Sequence, residues 1–192
     1  KIDFIQYASF EAVGFFHSHR IPSTIRISSD CVSWREYKVL DYTKEDVSRC
    51  YLTDRLEYYA EKKIGNIYGP SYATAKLISE HIHSFVSVIE SPFYYLKTEY
   101  DSSLFDELLK GKKYYLSYSS MSCLKGTHVI AEAIKKIHEI DSEAYFVFAG
   151  SDHGIFYRNG KRESTKEYIL RYAGDIANRV IFLGTLDRKD LY

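Results

Sequence analysis

Apolar residues gather in short β-type runs that recur along the chain, at Asp3 to Tyr7, Thr24 to Ile27, Ile64 to Tyr68, Val86 to Ile89, Tyr114 to Tyr118, Tyr145 to Ala149 and Val180 to Leu183. Between them lie segments whose apolar residues repeat at helical spacing. Leu52, Leu56, Tyr59 and Ala60 share one helical face, as do Val129, Ile130, Ala133, Ile134 and Ile137, and again Tyr168, Ile169, Tyr172, Ala173 and Ile176. Strand and helix therefore alternate, and hairpin signals are nearly absent. The pattern predicts an α/β fold of βαβ units, with mostly parallel sheets covered on both faces.

The β-run at Val86 to Ile89 ends in Glu90-Ser91-Pro92, and a proline cannot continue a strand ladder. A boundary is expected there, with one domain over 1–91 and a second over 92–192. Beyond it, Asp101 to Lys110 reads as a short helix closed by Gly111 and two lysines. The polar stretch Tyr157 to Thr165 reads as an exposed loop. The chain opens on Lys1 in what looks like an interior strand and closes on Asp190-Leu191-Tyr192 in what looks like a helix start, so each domain is expected to be incomplete.

Composition narrows the setting. The 192 residues hold 45% hydrophobic and 27% charged side chains, a globular balance, with 26 basic residues against 26 acidic ones. No net field draws the chain to nucleic acid. Cys31, Cys50 and Cys123 are odd in number and widely spaced, which suggests neither a disulfide framework nor a zinc site and points to a cytoplasmic setting. The apolar runs fall well short of the ~20 residues that span a bilayer, which leaves peripheral membrane contact open.

The strongest chemical signal lies between Tyr114 and Ile137. A strand runs into the polar loop Ser119-Ser120-Met121-Ser122-Cys123-Leu124, and Lys125-Gly126-Thr127 then opens an amphipathic helix. Ligands of open parallel sheets sit beyond the carboxyl ends of the strands, and a following helix N-terminus favours an anion there. Lys125 either adds a point charge to that site or merely solvates the first helical turn. A second strand, Tyr145 to Ala149, runs into Gly150-Ser151-Asp152-His153-Gly154, where glycine lets backbone approach a ligand and allows positive φ.

In combination these segments resemble the GT-B-type glycosyltransferases of the "glycosyl transferases group 1" kind (family 4). In that family the C-terminal domain opens with a strand, then Gly-Arg-Leu, three variable residues and Lys-Gly, then a helix with an internal alanine. A strand ending in a glycine-rich turn and a Phe-Leu-Gly follow. Here Ser119-Ser120-Met121 precede Ser122-Cys123-Leu124 and Lys125-Gly126, Ala133 lies in the helix, Ala149-Gly150 end the next strand, and Phe182-Leu183-Gly184 follow. Tyr58 to Ser71 is similar to the helix, turn, strand and serine that end the family's N-terminal domain, and Ile89-Glu90-Ser91-Pro92 to its linker.

The resemblance implies two Rossmann-like domains of GT-B type, acceptor-side over 1–91 and donor-side over 92–192, with a cleft between them. It implies a retaining hexosyltransferase-like enzyme that moves a sugar from a nucleotide-diphosphate-sugar donor to a carbohydrate, lipid or protein acceptor. No cofactor and no protein-held metal are implied. Donor contacts would fall to Ser119, Ser120, Lys125, Gly126, Gly150, Ser151 and Gly184. The family's Gly-Arg is Ser119-Ser120 here, so the guanidinium that grips diphosphate is missing. A non-catalytic GT-B-like nucleotide-sugar binding module is therefore the alternative. The catalytic groups, including the family's acidic pair, would lie outside 1–192.

Other constellations rank lower. His17-x-His19 and His81-x-His83 lack a third ligand at recognisable spacing and read as surface or capping histidines, and Asp30 reads as a turn former.

Overall fold

A computed structural model describes residues 1–36, 44–93, 101–158, 161–187 and 190. The chain is α/β, and its described residues fall into two compact units, one up to residue 93 and one from residue 101.

The first unit contains β1 (Ile5–Ala8), β2 (Ser23–Arg26), α1 (Cys31–Glu36), α2 (Lys44–Ile64), β3 (Ile67–Gly69), α3 (Tyr72–Ile82) and β4 (Ser87–Val88). Its four strands are parallel and lie in chain order, with Ile5 opposite Ser23, Ile25 opposite Ile67 and Tyr68 opposite Ser87. The segment read as a strand from Ile64 is corrected: Ile64 closes α2, and pairing begins only at Ile67. Ser71 caps α3 by accepting the Thr74 N–H, and Ala75, Ile78 and Ile82 bring one stripe of that helix against Ile25, Ile27 and Ile67. The opposite sheet face is polar, carrying Gln6, Thr24, Arg26 and Tyr68, and the Tyr68 hydroxyl donates to Gln6 Oε1 at 3.0 Å. That polar face, rather than the two covered faces expected, follows from the in–out alternation of β2.

The second unit contains α4 (Ser103–Leu108), β5 (Tyr114–Tyr118), α5 (Thr127–Ile140), β6 (Tyr145–Ala149), β7 (Ile155–Arg158), β8 (Lys161–Ser164), α6 (Thr165–Ala173) and β9 (Val180–Gly184). Strands β5, β6 and β9 form a parallel sheet in that order. Phe146 and Phe148 on one face meet Ala131 and Ile134 of α5 and Ile169 and Ala173 of α6. On the other face Leu116 and Tyr118 stay half or more exposed. Helix α6 is fixed at its start by a capping box: Ser164 Oγ accepts the Glu167 N–H and Glu167 Oε2 accepts the Ser164 N–H.

The stretch read as an exposed loop from Tyr157 is instead part of a β-hairpin, β7 pairing antiparallel with β8. Asn159 and Gly160, between these strands in the sequence, lie outside the described residues.

Candidate functional site

The expected donor residues fall at the carboxyl end of the β5-β6-β9 sheet, where three strand-end loops are stitched together by backbone hydrogen bonds. Ser119 N–H donates to the Ala149 carbonyl at 2.9 Å, Gly150 N–H to Gly184 at 2.7 Å, and Met121 N–H to Ser151 at 2.9 Å. Ser119, Gly150, Ser151 and Gly184 are thus neighbours, and Ser120 stands exposed between Ser119 and Met121. Gly126 takes φ +70°, a left-handed conformation suited to glycine, and turns the chain into α5. Having no side chain, Gly126 cannot cap α5. Thr127 N–H is taken by the Ser122 carbonyl at 3.3 Å and Ile130 N–H by the Gly126 carbonyl at 3.1 Å, and among the described residues no side chain caps the helix.

Two details differ from the sequence reading. Lys125 is not part of the long helix: it ends a separate 3₁₀ turn, Cys123–Lys125, and is exposed, because Thr127 Oγ1 accepts the Ser122 N–H and folds the loop back before α5 begins. Gly150 has a role in loop packing besides the ligand approach expected of it. A Cβ at its φ of +142° would run into the Ser119 carbonyl, so glycine is what lets the β5 and β6 loops lie against each other. The N-terminus of α6 is already occupied by the Asp152 carboxylate, whose oxygens each accept one amide, from Thr165 and Lys166, at 3.1 Å. Of the two helix starts at this edge, α5 is the one without a side-chain acceptor.

The first unit holds a feature that the sequence reading missed. A cleft of about 540 Å³ opens at the carboxyl ends of β1 and β2, lined by Ser9, Glu11, Ser28, Trp34, Thr53 and Glu57 among others. It exists because α2 turns an acidic stripe inward. Asp54, Glu57 and Glu61 are buried, at 8%, 6% and 3% exposure, while Leu52 and Tyr59 of the expected apolar face point to solvent at 67% and 56%. Only Ala60 of that face is buried.

Glu57 earns its place through hydrogen bonding: its Oε1 accepts the Glu11 N–H at 2.8 Å, and its carboxylate also receives the Cys31 thiol. Burial, then that bond to Glu57, push the Cys31 thiol well above its ordinary range. Burial and the charges of Glu57 and Asp30 push Glu61 up to about 8, so it is a neutral acid at pH 7. Glu61 Oε2 is buried and has no hydrogen-bond partner among the described residues.

Beside the cleft, Asp30 caps α1 by accepting the Ser33 N–H at 2.8 Å and accepts the Tyr58 hydroxyl at 2.7 Å, with His81 Nδ1 3.3 Å away. Burial would raise its carboxyl, but the Ser33 and Tyr58 bonds and the His81 charge outweigh it and hold the group below the ordinary carboxylate value. The turn-forming role expected of Asp30 is the cap it makes. His17, read as a surface or capping residue, is buried instead, with Tyr7 and Ser23 hydroxyls at its two ring nitrogens, and His83 closes α3 at φ +53°.

Among the described residues no group of three or more His, Cys, Asp or Glu is arranged to hold a metal ion, and no helix is long and apolar enough to cross a membrane. No protein-family model and no curated protein matches the sequence.

Proposed function

We propose that the chain belongs to a retaining glycosyltransferase of GT-B type, its second unit binding the nucleoside diphosphate of a nucleotide-sugar donor and its first unit serving the acceptor. The observation that carries this reading is the convergence of three strand-end loops with the uncapped start of α5 at one edge of a parallel sheet. Parallel sheets bind ligands at that edge, and helix amides there suit phosphate oxygens. As the bond to the donor sugar breaks, negative charge develops on the departing diphosphate. The α5 amides and the Lys125 ammonium would stabilise it without reorganising. Cys31, Cys50 and Cys123 are in no disulfide among the described residues, which suits the cytoplasmic setting of such enzymes.

A second reading, a nucleotide-sugar binding module without turnover, is favoured by one feature. Ser119 Oγ faces the Ser120 carbonyl at 3.4 Å, and neither serine brings the charge of the guanidinium it replaces.

Calorimetric titration with a nucleoside diphosphate tests the shared claim. Wild type should bind, and Lys125→Ala should lose a charge-assisted contact of about 1.5–3 kcal/mol, roughly tenfold to a hundredfold in affinity. Equal affinity of the two removes Lys125 from the site. Donor turnover then separates enzyme from binding module.

A further inference from the structure

We infer that the outer face of α2, together with the loop that follows β1, is a docking surface for an anionic phospholipid membrane. Docking there holds whether or not the second unit takes a nucleotide.

From Tyr51 to Ile64, α2 carries three acids, Asp54, Glu57 and Glu61, and three bases, Arg55, Lys62 and Lys63. Folding sorts them by sign. All three acids are buried, whereas Arg55 and Lys62 are exposed and Lys63 is half-buried. A stretch with no net charge in the sequence therefore shows a cationic outer face. A surface helix ordinarily turns its apolar side inward and leaves charges of both signs in water. Here the outer face carries Leu52 and Tyr59, two turns apart, beside the bases.

The loop after β1 extends the same surface, because it lies along α2. The Glu11 N–H donates to Glu57, Gly14 packs against Ala60 and Ile64, the Phe15 and Tyr59 rings meet at a centroid distance of 5.5 Å, and Lys63 Nζ donates to the Phe15 carbonyl at 3.0 Å. That packing leaves Phe10, Val13 and Phe16 more than half exposed, Phe16 at 90%. Glu11, the acid of residues 10–16, lines the neighbouring cleft.

Apolar side chains exposed together in this way mark a surface that something covers. Charge selects what covers it. Aromatic and leucine side chains interleaved with Lys and Arg suit a lipid–water boundary: the apolar groups enter between the headgroups, and the cations stay among the anionic phosphates. A second copy of the chain would bring the same cations face to face, and their repulsion opposes that contact. Phe16, projecting from a loop, needs no matching pocket in a fluid bilayer.

The full chain is sedimented with vesicles of phosphatidylcholine alone and of phosphatidylcholine with about one-third phosphatidylglycerol, at low salt and at about 0.5 M salt. Anionic vesicles should carry down roughly tenfold more protein than neutral ones, and salt should release much of it. Phe16→Ser and Lys62→Glu, both at exposed positions, should each weaken binding several-fold with Tm little changed. Ile140→Ser is the control: Ile140 is nearly as exposed as Phe16 but ends α5 in the second unit, so its loss should leave binding as it was. Equal binding to neutral and anionic vesicles, an equal loss in the control, or no binding to either vesicle overturns the inference. Light scattering of the free chain reads the rival occupant. A dimer that Phe16→Ser dissociates, without vesicle binding, would assign the face to a second copy and overturn the membrane.

Discussion

Glu57 on α2 accepts the backbone N–H of Glu11 at 2.8 Å across 46 residues of chain, and Glu11 is held at φ +56° with Ala12 beside it at +53°. Left-handed backbone costs a non-glycine residue about 1 kcal/mol or more. A buried carboxylate thus holds a strained loop at the lip of the first unit's cleft. Glu57→Ala removes the acceptor for the Glu11 amide and for the Cys31 thiol, and should cost about 1–3 kcal/mol of stability. Denaturant unfolding at about pH 6, where Glu61 is protonated by its raised pKa, checks the loss without carboxylate repulsion. An unchanged midpoint would show that the loop is held by other contacts.

Glu61 gives the first unit a pH dependence of definite sign. Its carboxyl is raised to about 8 by burial first, then by Glu57 and Asp30, from its ordinary value of 4.5. A carboxyl raised in the folded state binds its proton more tightly folded than unfolded, so stability is greatest below about 4.5 as far as this group is concerned. It falls as pH rises toward 8, by at most about 1.4 kcal/mol per pH unit. Glu61→Gln should flatten the decline of Tm between pH 5 and 8, the window set by those two values. A wild-type Tm level across that window, or a variant with the same slope, would contradict the assignment.

Gly150→Ala should destabilise the second unit by about 2 kcal/mol or more, because the new methyl meets the Ser119 carbonyl and φ is +142°. Gly65→Ala is the control: its φ is +76° but nothing lies within 4 Å, so only the conformational cost of about 1 kcal/mol applies. Thermal unfolding of the two variants should rank Gly150→Ala lower by several degrees.

Much of the second unit was legible because its strands and helices obey the periodicities that burial imposes. Ile130, Ile134 and Ile137 mark α5, and Tyr168, Ile169 and Ala173 mark α6, as apolar stripes, and the loops between strand and helix announce the edge at which Ser119, Gly150 and Gly184 meet. The cleft of the first unit was not legible for a physical reason. Pattern reading assigns apolar residues to the inside, so Asp54, Glu57 and Glu61, spaced three and four apart, pass for a solvated stripe, and Leu52 and Tyr59 are placed in the core. Three acids on the same helical face were the available signal, and only their partners, Glu11 and Cys31, distinguish a buried stripe from an exposed one. The hairpin escapes for another reason: the polarity of the stretch from Tyr157 to Thr165 suggests a loop and outweighs the Asn-Gly dipeptide, a sequence signal for hairpins.

Ser120→Arg should tighten nucleoside diphosphate binding, since Ser120 is exposed in the loop between β5 and α5 and a guanidinium can grip two phosphate oxygens at once. The expected gain is about 1.5–3 kcal/mol, seen by calorimetry as a roughly tenfold or greater rise in affinity. Unchanged affinity in a variant that keeps its Tm would place the diphosphate away from this loop.

The account turns on where a nucleoside diphosphate binds, and an amide-resolved NMR titration of the ¹⁵N-labelled chain reads that directly. Binding at the carboxyl edge of the second unit should move the amide signals of Ser119, Ser120, Gly126, Thr127, Gly150, Ser151 and Gly184 together, with one affinity, while those of Glu11 and Ser28 in the first unit's cleft stay in place. Shifts confined to the first unit, or no saturable shift at any of the seven, would contradict it.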